Sequence, residues 1–266
     1  PQPLPAGGVF VFDVDWSHPV VRNTTRRARS SYELFDDGHA LYEIAQWFPR
    51  LCPYTDGDGW QNKAFLGSSE SATEFGDYRV EITVPDTHVV ASTGVLANPE
   101  AVLTDDQRRR LKDSMTAEEP VLIITPEEAL ANEQRVAEGS RTWIFDAENV
   151  RDFAWASSPT FAWDAWGVAI PRSDRVTQAM SFFPVEGEPL WSRYSTQAVA
   201  HALEMFSHFT IPYPYPVAIS VNGPVGGMEY PMICFNGPRP EDDGTYTQRT
   251  KYGLIGVIIH EVGHNW

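Results

Sequence analysis

The sequence predicts an α+β protein, with an N-terminal antiparallel β-sheet region followed by an α-rich region. Three observations carry this. Short runs rich in β-branched and aromatic residues, separated by Pro and Gly clusters, dominate residues 1–170. A stretch with helical spacing and no internal Gly or Pro covers residues 191–209 (WSRYSTQAVAHALEMFSHF). A second helical stretch spans residues 246–266. The change of character near residue 170 divides the chain into two expected domains, 1–170 and 171–266.

Residues 9–15 (VFVFDVD) alternate weakly and read as the first strand. Residues 40–48 and 77–84 follow as strands, separated by turn-rich PYTDGDGW at 53–60. Further strands are expected at 141–148, 153–157 and 161–170. Between about 104 and 139 the composition turns polar and helical, which predicts a helical insertion on the β scaffold. Its Arg108, Arg109 and Arg110 read as a solvated helix face rather than a binding patch. In the second region, IPYPYP at 211–216 must break the 191–209 helix. Two short strands are then expected at 217–221 and 228–235, with a Gly-rich turn between them.

Composition narrows the classes of function. With 20 basic and 36 acidic residues, the net charge is −16, which repels phosphate backbones and excludes nucleic acid as a partner. No apolar run reaches the roughly 18 residues of a membrane span. Cys52 and Cys234 are too few for a disulfide framework, and each is expected to be a small buried apolar residue. Trp143, Trp155, Trp163 and Trp166 are expected in the core between sheets. His201 and His208 stand seven residues apart, too far to share a metal.

Residues 260–264 read His260, Glu261, Val262, Gly263, His264. Histidines at i and i+4 lie on one helix face, so both imidazoles can reach one zinc ion. Glu261 follows the first ligand and is placed to act as general base on a metal-bound water. The preceding run at 254–259 is strongly apolar, which predicts a buried helix. Ionisable residues on a buried helix are costly unless something uses them. A catalytic zinc takes three protein ligands, so a third is expected downstream of residue 266 and the chain reads as an incomplete fragment, inactive alone.

About 30 residues earlier stand Gly226, Gly227, Met228, Glu229 and Tyr230, followed by Pro231, which implies an edge strand. An edge strand can pair with an extended peptide, and the glycines allow close backbone approach. Glu229 would then bind the peptide's α-ammonium group. Taken alone the stretch reads better as an ordinary hairpin turn with a solvent-facing glutamate; the nearby HExxH pattern reverses that and favours a substrate site formed by Gly226, Gly227, Met228 and Glu229.

These motifs resemble the aminopeptidase N family of gluzincin zinc metallopeptidases. GGMEY at 226–230 is similar to the family's Gly-x-Met-Glu-Asn motif, and HEVGHNW at 260–266 to its zinc helix. QWFPRLCPYTD at 46–56, FGDYRVEITVP at 75–85 and ENVRDFAWASS at 148–158 are similar to bacterial members. The resemblance implies an N-terminal β domain before a thermolysin-like catalytic domain. It also implies zinc held by His260 and His264, Glu261 as base, and Glu229 on the free N-terminus of a peptide substrate. Tyr230 departs from the family's usual Asn, and Gly263 stands where a larger residue is common. The competing readings are a zinc endopeptidase and a non-catalytic peptide- or partner-binding module with a vestigial peptidase half.

Overall fold

The computed structural model describes residues 3–24, 28–62 and 73–266. In chain order its elements are β1 (Val21–Arg22), β2 (Ser31–Leu34), β3 (Ala40–Ile44), β4 (Tyr54–Thr55), β5 (Gly59–Trp60), β6 (Gly76–Pro85), β7 (Val89–Ser92) and β8 (Val95–Leu96). Then come α1 (Pro99–Val102), α2 (Asp105–Asp113), β9 (Val121–Ile124), α3 (Pro126–Glu133), β10 (Ser140–Val150), β11 (Trp155–Ser158), β12 (Phe161–Ala169) and β13 (Val176–Pro184). The remainder comprises α4 (Leu190–Phe209), β14 (Val217–Asn222), β15 (Gly227–Tyr230), β16 (Ile233–Asn236) and α5 (Gln248–Gly263). The fold is α+β, and antiparallel pairs predominate in its sheets.

A five-stranded sheet has the order β1-β2-β3-β11-β7, and a three-stranded sheet the order β6-β10-β8. The six-stranded sheet runs β15-β16-β14-β13-β12-β9, with parallel pairing only at β13–β14 and β14–β16. Strand β6 alternates in exposure, as a half-buried strand must. Every residue of β14 is buried, because the sheet is covered on both faces. Helix α4 lies over β12, β13 and β14. On the sheet's other face Trp163 and Phe182 meet Trp143 and Phe145 around a cavity of about 80 Å³. Polar pins fasten α4 to the sheet: Ser181 Oγ and Ser195 Oγ are hydrogen-bonded at 2.7 Å, and Thr196 Oγ1 donates to the Asp164 carboxylate and lies within hydrogen-bond reach of Ser181 Oγ.

Several expectations change on contact with this architecture. Residues 9–15 form no strand; Val9, Phe10 and Val11 are 86, 71 and 80% exposed. Alternation makes a strand only where a neighbouring strand supplies the hydrogen bonds. The polar insertion does contain helices, but Val121–Ile124 within it joins the large sheet beside β12. The division expected near residue 170 falls in the turn between β12 and β13, which pair along their whole lengths, so one sheet runs across it. The strand expected over 228–235 is two strands, folded back at Pro231 and Met232, where Met232 has φ = 65°. Strand β14 does not pair with β15; β16 lies between them. Cys234 is buried as expected, whereas Cys52 is exposed. The helix expected to be buried at 254–264 is only half-buried: Leu254, Ile258 and Val262 form the inward stripe, while Gly256, His260 and His264 are exposed. Among the described residues no helix is long and apolar enough to cross a membrane.

Candidate metal and peptide site

Helix α5 is capped by Thr247, whose hydroxyl accepts from the Thr250 N–H at 3.1 Å and so satisfies an N-terminal donor. Its inward stripe packs against β15, β16 and α4. Gly263 is needed for the last of these contacts, because a Cβ there would stand 3.1 Å from the Phe206 ring. Past the helix, Trp266 packs against Phe206 and Tyr213, and its Nε1 donates to the Ile211 carbonyl at 2.7 Å. Asn265 Oδ1 accepts from the Met232 N–H at 3.0 Å. That bond ties the helix end directly to the β15–β16 turn, so helix and edge strand are held as one unit.

On this frame His260 and His264 turn their Nε2 atoms toward each other at 3.2 Å. Ligand nitrogens at about 2.0–2.1 Å from a tetrahedral zinc stand about 3.3 Å apart, so the pair fits that ion. His260, Glu261 and His264 form a cluster of ligand-type atoms all within 4.8 Å of one another. Glu261 is 6% exposed, against the exposed histidines. Burial, followed by the charge of Glu229, pushes the Glu261 carboxyl above its ordinary range, while His260 and His264 pull it back.

Glu229 reaches this cluster from β15, the edge of the six-stranded sheet. Its Oε1 is 3.9 Å from His264 Nδ1. The strand lies so close over α5 that a Cβ on Gly227 would run into Glu261 Oε1 and stand 3.0 Å from Val257 Cγ2. The glycine thus admits the Glu261 carboxyl, whereas Gly226 has nothing within 4 Å of the position its Cβ would take. Met228 is 4% exposed and packs in the core, so what it offers a ligand is its backbone.

Two cavities meet at Glu229. One of about 370 Å³ is lined by Gln46, Arg50, Arg151, Asp152, Glu229 and His264. The other, of about 1110 Å³, includes His18, Ser30, Gln46, Gly226, Gly227 and Glu229. Gln46, which has φ = 50°, therefore faces the same space as Glu229 although 183 positions separate them. Arg50 Nη1 donates to Asp152 Oδ2 at 2.6 Å in the wall of the smaller cavity. Gln46, Arg50, Arg151 and Asp152 are distant in sequence from Glu229, and the sheet packing brings them to its side.

No family model matches the sequence, and no curated protein matches it. Among solved structures the chain is similar to an M1 zinc metallopeptidase from Deinococcus radiodurans. The identity is 15%, over 90% of this chain and 40% of that one, with a TM-score of 0.47. This chain therefore spans 40% of the length of that protein.

Proposed function

We propose that this chain carries the zinc-ligating and N-terminus-recognising part of an aminopeptidase. The observation that carries the reading is the convergence of the two Nε2 atoms, 3.2 Å apart, with the Glu229 carboxylate arriving from a separate edge strand. Zinc bound by His260 and His264 would supply a Lewis acid for the scissile carbonyl and for water. Glu261, buried beside the histidines, takes the proton of the attacking water and returns it to the leaving amine. The outer edge of β15 pairs with the peptide backbone. Glu229 binds the α-ammonium group, so that cleavage is counted from the N-terminus.

The test compares a short peptide amide with its N-acetylated form as substrates of the full-length protein, together with metal analysis. One zinc per chain and hydrolysis of the free peptide alone are expected. Equal hydrolysis of both peptides would replace the reading with an endopeptidase. Peptide binding without turnover in the zinc-loaded protein would replace it with a binding module.

A further inference from the structure

Glu43 lies on β3, in the five-stranded sheet, and is fully buried. It reaches the loop that leads into β15. Its Oε2 accepts a hydrogen bond from the Val225 N–H at 3.0 Å, across 182 residues of sequence. Its Oε1 has no hydrogen-bond partner and is pressed against Gly223, where a Cβ would run into the carboxyl group. Burial holds the proton on this carboxyl well above the ordinary range; the Val225 bond and the charge of Arg239 oppose that only in part. A neighbouring contact grips the same loop. Glu33 on β2 pairs with both terminal nitrogens of Arg239, at 2.9 and 2.8 Å, and Arg239 Nε donates to Asn222 Oδ1.

The loop from Asn222 to Gly226 therefore hangs from the five-stranded sheet. Among the described residues β15 is the end strand of its sheet, paired with β16, so the position of its start depends on that suspension. A buried acid with one unpaired oxygen is a poor way to gain stability alone, since a buried polar atom left unpaired is costly.

We propose that Glu43 is a positioning residue: by fixing the Val225 amide it sets how residues 226–229 lie over Glu261, and hence where Glu229 presents itself to a peptide N-terminus. This rests on the aminopeptidase reading, and the experiment separates the two. In the full-length protein, Glu43→Gln keeps the shape and an acceptor for Val225, and KM for the free peptide amide is expected within about threefold of wild type. Glu43→Leu keeps the bulk and removes the acceptor; KM is expected to rise about tenfold or more, with kcat changed less and zinc content unchanged. Amide exchange at Val225 and through 226–229 is expected to quicken in Glu43→Leu at least tenfold while α5 keeps its protection.

Wild-type KM and wild-type exchange in Glu43→Leu would overturn the proposal and leave the aminopeptidase reading intact. If the wild-type protein hydrolyses no peptide, that reading fails, and the exchange measurement alone decides whether Glu43 holds the strand. Should Glu43→Leu not fold, Gly223→Ala disturbs the same contact from the loop side. The same rise in KM is expected there, and an unchanged KM with unchanged exchange at Val225 overturns the proposal.

Discussion

Among the described residues two clusters combine histidine with carboxylates, and they are built differently. At the start of β15 and the end of α5, two imidazole Nε2 atoms face each other at 3.2 Å with carboxylates alongside. At the tip of the β2–β3 hairpin there is a single imidazole. His39 Nδ1 stands 3.0 Å from Asp37 Oδ2 and 3.5 Å from Glu133 Oε1 at the end of α3. It is close to both, yet aligned for a hydrogen bond with neither. The hairpin cluster carries its own counter-charge. Despite burial, the contacts with His39 pull the Asp37 carboxyl down to about 2. Burial and then Asp37 push Glu133 up to about 7. In the α5 cluster the two Nε2 atoms face each other directly, at a distance that a hydrogen bond or a shared cation can bridge. Residue type alone therefore does not mark a cation site. The spacing of the donor atoms and the charge already present between them do.

That contrast can be broken at several points. The largest effect is expected from Glu261→Gln in the full-length protein. Loss of a positioned base should cut kcat by about 10²–10⁴-fold while zinc content stays at wild type. Turnover near the wild-type rate would remove Glu261 from the mechanism. Next, His260→Ala should weaken zinc binding by more than about 100-fold, since a ligand matters at least as much as its supporting shell. His39→Ala should leave zinc affinity unchanged in the same titration, and equal losses in the two variants would erase the distinction between the clusters.

Gly227→Ala tests the close approach of strand and helix. The new methyl group displaces the Glu261 carboxyl, so kcat should fall about tenfold with little change in thermal midpoint. A midpoint drop without a change in kcat would mean that the glycine serves packing alone.

The smallest effect belongs to the hairpin cluster. Glu133 has its carboxyl raised from 4.5 to about 7 by folding, so the folded state holds the extra proton between those values. Its contribution to stability is therefore highest below about pH 4.5 and declines as pH rises to 7. His39, raised from 6.5 by Asp37, acts in the same direction: its contribution is present below pH 6.5 and lost as pH rises through the folded value. Glu133→Gln should flatten the decline in thermal midpoint between pH 5 and 8 by about 2–4 °C, corresponding to about 1 kcal/mol for a chain of this size. An unchanged pH profile in differential scanning calorimetry would show that the cluster is solvated rather than coupled.

How much of this was legible beforehand depends on the reach of each signal. The helix pattern at 191–209 and the strands at 77–84, 141–148 and 161–170 stand close to where periodicity puts them, because neighbours within a few residues decide such elements. The pairing of His260 with His264 is equally local, one helical turn. The exposed segment at 9–15 and the overlooked strand at 121–124 show the opposite case. A strand is completed by a partner elsewhere in the chain, and composition cannot name that partner. Glu43 carries no sequence signal at all. It sits in an ordinary strand pattern, and only the approach of a loop 182 residues away makes it unusual.

By itself the sequence determined which groups are on offer: two imidazoles one helical turn apart, a carboxylate directly after the first, and a second carboxylate on an edge strand flagged by glycine and proline. Tertiary structure alone decided that these face one another. The Asn265 bond to Met232, the close approach at Gly227 and the suspension of the 222–226 loop from the five-stranded sheet are contacts between distant segments. Helical geometry is fixed by bonds four residues apart and can be read along the chain. The distance between Glu229 and α5 is set by how a sheet edge packs on a helix, which depends on every layer beneath it.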